Sequence, residues 1–229
     1  LRLRYLLRFA IGGDLRFISH RDTIHLFERV LVRAGLPVRY SEGFNPRLRL
    51  WLPLPRSLGT SADDEVLMIE ATEKLKTEEA LARLQDRSPI GLRVRRLQLM
   101  ESSARPRPMR AYYELPLGQE YRRPAETDAQ TDVGVEGLDR VVERFTSSTS
   151  WPVARMSPGG RGPKEQTVDL RPWVDRLQLA DGCLRFVLPV GSTGSARPRE
   201  VLNALGLPAD RWAHRLRRTG VDWDPPLTA

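Results

Sequence analysis

Residues 1–55 read LRLRYLLRFAIGGDLRFISHRDTIHLFERVLVRAGLPVRYSEGFNPRLRLWLPLP, and their periodicity decides the fold. Up to Phe9 the apolar side chains take every second position. Leu1, Leu3, Tyr5, Leu7 and Phe9 share one face and Arg2, Arg4 and Arg8 the other, the spacing of a half-buried strand. After a Gly12-Gly13-Asp14 turn the period lengthens to that of a helix. Ser19 stands at the cap with Asp22 three residues on, and Gly35 stops the helix just before Pro37. Ile24, Phe27, Val30, Leu31 and Ala34 form its apolar face, while His25, Arg29 and Arg33 fall on a flank of the opposite side. The chain then extends through Val38–Tyr40, turns at Gly43-Phe44-Asn45-Pro46, and returns to strand alternation in RLRLWLPL.

Working outward, EVLMIEA reads as a buried strand, Glu78–Arg87 as a helix capped by Thr77, and GLRVRRLQLM as a further strand. Strand–helix–strand–strand–helix–strand is the split βαβ, ferredoxin-like plan. Residues 101–110, polar with two prolines, read as a linker. A weaker copy follows: AYYELPL as a strand, Leu138–Ser148 as a helix, Pro152–Met156 as a short strand, VDRLQLADGCLRFVLPV as two strands around an Asp181-Gly182 hairpin, Ala196–Leu205 as a helix and WAHRLRRTGV as a closing strand. The expected fold is therefore α+β. It has two tandem ferredoxin-like units, a basic one over 1–100 and an irregular one over 111–229 with loop insertions near 119–135 and 157–166.

Composition narrows the function classes. The 229 residues carry one cysteine and three histidines, too few for a disulfide, a zinc knuckle or a three-cysteine iron–sulfur motif, so no metal and no cofactor is expected. No apolar run reaches membrane-spanning length and no signal-peptide pattern opens the chain, which predicts a cytoplasmic protein. The start at Leu1 without methionine suggests a piece of a longer protein. Net charge is +8, and residues 1–110 hold all of it; residues 1–56 alone carry eleven arginines against Asp14, Asp22, Glu28 and Glu42. Such concentration predicts a polyanionic partner. Of the 37 basic residues only Lys74, Lys76 and Lys164 are lysines, and the guanidinium fork suits bidentate phosphate contact and base stacking.

Three constellations bear chemistry. If the apolar strand faces meet the helices, Arg2, Arg4, Arg8, Arg47, Arg49, Arg93 and Arg95 project from an open sheet face, with Trp51 among them and Arg16 and Arg21 at its margin. That arrangement suits RNA; the alternative is that the second unit's acids cover and neutralise it. His20, in the first turn of the helix, and Tyr40 beyond it stand near basic residues and are candidates for metal-free proton transfer in RNA cleavage. The alternative is that this junction only caps a helix and builds a turn. Gly191, Gly194, Ser195 and Arg197 form a Gly/Ser-rich loop entering a helix, a candidate anion site without the lysine of a P-loop, or a plain strand-to-helix connection.

The stretch GGDLRFISHRDTIHLFERVLVRAGLPVRYSEGFNPRLRLWLPLP, with TVDLRPWVDRLQL, GSARPREVLNALG and LRRTG, resembles a bacterial family called radical SAM-linked proteins. That resemblance implies a domain standing beside, or fused behind, a B12-type radical SAM protein, with the radical chemistry belonging to the partner. A fainter similarity is to CRISPR RNA-processing endoribonucleases, through duplicated ferredoxin-like units, a histidine near the first helix and a Gly-rich loop late in the chain, here shorter than theirs. The function expected is a non-catalytic RNA-binding accessory module. The alternatives are a protein-docking adaptor for the radical SAM partner and a metal-independent endoribonuclease.

Overall fold

The opening alternation becomes strand β1 (Leu3–Ile11) in a computed structural model that describes residues 3–101, 105–118, 135–157, 164–191 and 195–227. Tyr5, Leu7, Phe9 and Ile11 lie in the main core, as the period predicts. Helix α1 (His20–Arg33) starts on Ser19, whose hydroxyl accepts from the Asp22 amide at 3.1 Å while the Ser19 amide donates to the Asp22 carboxylate. Both halves of the capping box are made. Its face of Leu26, Phe27, Val30 and Leu31 packs into the same core, with Phe9 and Phe27 edge to face at 4.6 Å.

The chain continues through β2 (Leu50–Trp51), β3 (Ser61–Ala71), α2 (Thr77–Arg87) and β4 (Leu92–Leu99). Strand β1 lies between β3 and β4, antiparallel to both, and β2 pairs with β3 at Ile69 and Met68. Less of RLRLWLPL forms strand than its alternation predicts: Tyr40 and Leu48 make a single bridge, and only Leu50–Trp51 joins the sheet. Pro46 and Pro55 flank the segment, Pro53 lies within it, and none can donate to a ladder. At Gly91 the backbone takes φ +92°, and a Cβ there would stand 2.6 Å from the Gly12 carbonyl oxygen, so the turn into β4 requires glycine.

In the second unit β5 (Arg107–Pro116) pairs antiparallel with β9 (Cys183–Pro189), which pairs with β8 (Arg176–Ala180). Asp181 and Gly182 both have positive φ, 53° and 68°, the geometry an Asp-Gly hairpin needs. Strands β6 (Pro152–Ser157) and β7 (Lys164–Asp169) form a separate ribbon, and α3 (Val135–Ser147), α4 (Pro198–Ala204) and α5 (Ala209–Trp212) complete the unit. Asp169 ends the ribbon by accepting from the Trp151 and Arg171 amides at 2.7 and 2.9 Å, bonds that hold its carboxyl below the usual carboxylate range. Cys183 is half-buried beside the hairpin turn, its Sγ 3.9 Å from the Leu184 carbonyl oxygen.

Three boundaries differ from expectation. Strand β5 begins at Arg107, inside the segment read as a linker. Of the two insertions, 119–134 and 158–163 lie outside the described residues, whereas Ser157 and Lys164 belong to β6 and β7. Most consequentially, the last strand, β10 (Arg217–Asp224), runs parallel to β3 at Ser61 and Ala62, so that Arg217 onward returns to the first unit and Met109–Leu216 forms the second. The architecture is mixed α+β, with parallel and antiparallel pairing on the same strand.

Candidate nucleic-acid interface

On the sheet face expected to be an open field of arginines, Arg4 and Arg8 are neutralised. On that face Arg4, Leu6 and Arg8 stand opposite Glu70, Met68 and Val66 of β3. Arg4 Nε lies 3.4 Å from Glu70, and Arg8 Nε donates to Asp64 at 3.1 Å; both arginine side chains are less than one-fifth exposed. The acids come from the unit's own central strand and not from the second unit. Between them Leu6, Val66, Met68 and Trp223 form a small apolar cluster, with Trp51 packed against it. Trp51 is thus core-lining, with Arg105 5.7 Å above its ring. Arg49 is half-buried with its Nε unpartnered among the described residues.

A bulge changes the remaining pattern. Arg8 pairs with Arg96 and Phe9 with Val94, so Arg95 is the extra residue and Arg96, which simple alternation gives to the core face, stands opposite Arg8 on the cation face. Arg93, Arg95 and Arg96 stay exposed. Arg16 donates to the Gly13 carbonyl at 2.8 Å, Arg21 is exposed, and Arg2 lies outside the described residues.

His20 and Tyr40 line different cavities. His20 faces a small closed space with Phe9, Thr23, Leu52, Arg56 and Glu65. Behind it Arg218 of β10, fully buried, donates from Nε and Nη2 to both oxygens of Glu65 at 2.6 and 2.7 Å, and from Nη1 to the Pro55 carbonyl at 3.0 Å. Arg56, which donates to the Leu15 carbonyl at 3.0 Å, feels the charge of the same carboxylate, while its burial lowers it to about 10. Burial first, then Arg56 and Arg218, hold the His20 imidazole below the ordinary histidine range. Its Nδ1 is buried with no partner among the described residues. Sequence reasoning missed this cluster because Glu65 and Arg218 are 153 residues apart.

Tyr40 lines an open groove of about 370 Å³ between α1 and the following loop, walled by Arg29, Val32, Arg33, Pro46, Arg47 and Leu48, with His25 and Glu28 bonded to each other at 2.8 Å on its floor. No acidic side chain among the described residues pairs with the guanidinium of Arg29, Arg33 or Arg47. Tyr40 and Val32 are half exposed, and Phe44, at the tip of the loop, is fully exposed at 105%. The loop holds its shape because the Arg47 amide donates to the Ser41 hydroxyl at 3.0 Å, the Ser41 amide donates to the Arg47 carbonyl at 2.7 Å, and Arg39 pairs with Glu42 at 3.0 Å. The signal for this site was present in the sequence as the His25, Arg29, Arg33 stripe at four-residue spacing.

At the Gly/Ser-rich loop, Gly194 lies outside the described residues and Gly191 is exposed. The following helix, α4, already has its anion: Glu200 accepts from the Arg197 amide at 2.8 Å and from Arg155 Nε and Nη2 at 2.7 and 2.6 Å, while Arg155 also donates to the Ser195 carbonyl. The Arg197 amide of the candidate anion position is therefore taken by Glu200. Among the described residues no group of histidine, cysteine and acidic side chains could hold a metal, and no helix is long and apolar enough to cross a membrane.

No curated protein matches the chain. A solved structure of an unknown protein from Galdieria sulphuraria aligns over 97% of this chain and 98% of that one at 11% identity, with a TM-score of 0.25, too low to carry an argument. A family model does match, over residues 4–198, from the first strand through the late Gly/Ser-rich loop. The chain belongs to the family described as "Uncharacterized protein conserved in bacteria (DUF2344)".

Proposed function

We propose that this protein is a non-catalytic RNA-binding accessory module, and that RNA lies along α1 and the Tyr40–Leu48 loop and not across the sheet. One observation carries the reading: Arg29, Arg33 and Arg47, with no acidic partner among the described residues, ring a single groove lined by the half-exposed ring of Tyr40, with Phe44 exposed on the adjoining loop. Phosphate contact needs uncommitted guanidiniums, and the sheet arginines Arg4 and Arg8 are already engaged by Glu70 and Asp64. Within the same reading the first unit follows a ferredoxin-like plan, since β4, β1, β3 and β2 neighbour one another in that order. The enzyme it serves is the B12-type radical SAM protein that the sequence resemblance implies.

Fluorescence anisotropy with a labelled oligoribonucleotide tests the proposal. Three phosphate contacts predict a log–log salt slope near −2, at about −0.7 per contact for a single strand. Arg29→Gln, Arg33→Gln and Arg47→Gln each reduce the slope by about 0.7. Absence of binding at low salt, or a slope indifferent to all three substitutions, overturns it. Recovery of the radical SAM partner from nuclease-treated extract by a chain that binds no RNA favours the docking-adaptor reading instead.

A further inference from the structure

Resting on that reading, we infer that the groove takes unpaired nucleotides, one base lying in the apolar trough beside Tyr40 and a neighbour stacking on Phe44, with the flanking phosphates held by Arg29, Arg33 and Arg47. A duplex asks a protein for backbone contacts and shape alone, and rigid base pairs offer nothing to an aromatic side chain at a loop tip. This site is built differently. Its walls are mostly apolar, from Val32, Pro46, Leu48 and the ring of Tyr40, and its cations stand among them. An apolar trough of about 370 Å³ edged by guanidiniums matches a splayed base attached to an anionic backbone.

Phe44 supports the same occupant. At 105% exposure its ring stands fully open to solvent at the tip of the loop, accessible to a base on its face. The loop beneath it is nonetheless held in place, by Ser41 bonded in both directions to Arg47 and by the Arg39–Glu42 pair. A positioned aromatic side chain next to unpaired arginines is a stacking platform that tolerates any base, because every base has a π-face. The surrounding charge selects a polyanion over an apolar peptide: Glu28, the one acid in the wall, is engaged with His25.

The test uses the full chain and three probes at equal length: a labelled single-stranded oligoribonucleotide, its perfect RNA duplex, and the single-stranded DNA of the same sequence. Single-stranded RNA is expected to bind about tenfold or more tightly than the duplex, with single-stranded DNA close to it. The double variant Tyr40→Leu, Phe44→Leu keeps the apolar volume but removes both rings. It is expected to weaken single-strand binding about tenfold while leaving duplex binding and the salt slope unchanged. A 2-aminopurine placed centrally is expected to change its fluorescence on binding to the parent and not to this variant. Phe44→Leu alone, at a position buried against nothing, serves as the variant that cannot fail through folding. Equal binding of duplex and single strand, or affinity unmoved by loss of both rings, overturns the inference while leaving RNA binding intact. Binding of no probe at low salt, or capture of an acidic protein in place of RNA, overturns the underlying reading itself.

Discussion

Replacing Arg218 with methionine removes a guanidinium that reaches both oxygens of Glu65 and the Pro55 carbonyl from a fully buried position. Glu65 is itself 2% exposed, so the variant leaves a carboxylate in the core without its principal partner. Breaking a buried pair in this way costs about 3–5 kcal/mol, because the stranded charge keeps its desolvation penalty. Arg56 stands near enough to feel Glu65, which places the expected cost at the lower end, about 3 kcal/mol. With an m-value of about 2–3 kcal/mol/M, the urea midpoint falls by about 1–1.5 M. The double variant Glu65→Leu, Arg218→Met removes both charges of the pair, but it takes the Glu65 charge away from buried Arg56 and the Arg218 donor away from the Leu54 and Pro55 carbonyls, so it is expected to recover only part of the loss, to about 2 kcal/mol below the parent. Far-UV circular dichroism in urea reads all three proteins. A single variant costing less than about 1 kcal/mol, or a double variant no better than the single, refutes the assignment of this pair as the bond that seats β10.

Three further outcomes follow from local geometry. Ser19→Ala is expected to destabilise by about 1 kcal/mol in the same urea assay through loss of the cap on α1. It also releases the Asp22 carboxyl, which the Ser19 hydroxyl holds below its usual range, and NMR titration is expected to show it rising. Gly91→Ala meets the Gly12 carbonyl and a φ of +92°, and is expected to cost about 1–3 kcal/mol. His20 titrates below the ordinary histidine range in the folded state, so the unfolded chain binds the extra proton first. Its contribution is full above the unfolded value of 6.5 and is lost as pH falls through the folded one; His20→Leu is expected to flatten that part of the stability–pH curve.

Elements whose signal lies within a dozen residues were legible in the sequence. The β1 alternation, the Ser19 capping box and the Asp181-Gly182 hairpin each depend on neighbours that local physics can read. Pairings at long range were not. The arginine alternation of β1 is real, yet nothing near Arg4 or Arg8 announces that Glu70 and Asp64 will stand across from them. The acidic run Asp63-Asp64-Glu65 was the available warning, since three acids opening a buried strand need cations to meet them, and Arg217, Arg8 and Arg218 do so. Arg96 escaped the alternation because a bulge at Arg95 adds one residue and reverses every face after it. At the candidate interface the residues were noticed, as a helix flank and a turn, but only the tertiary structure brings Arg29 and Arg33 against Tyr40 and Arg47.

The parallel pairing of β10 with β3 has a consequence for how the polypeptide is made. A ribosome releases β3 about 150 residues before the segment carrying Arg218, so over that interval the nascent first unit holds an acidic side chain at its centre with no counter-ion from that strand. Docking of the late segment closes a very long chain loop and is slow by topology. The emerging half is therefore expected to wait, incompletely sealed, until that strand has been made, a window in which chaperones rather than the chain's own chemistry guard it against aggregation.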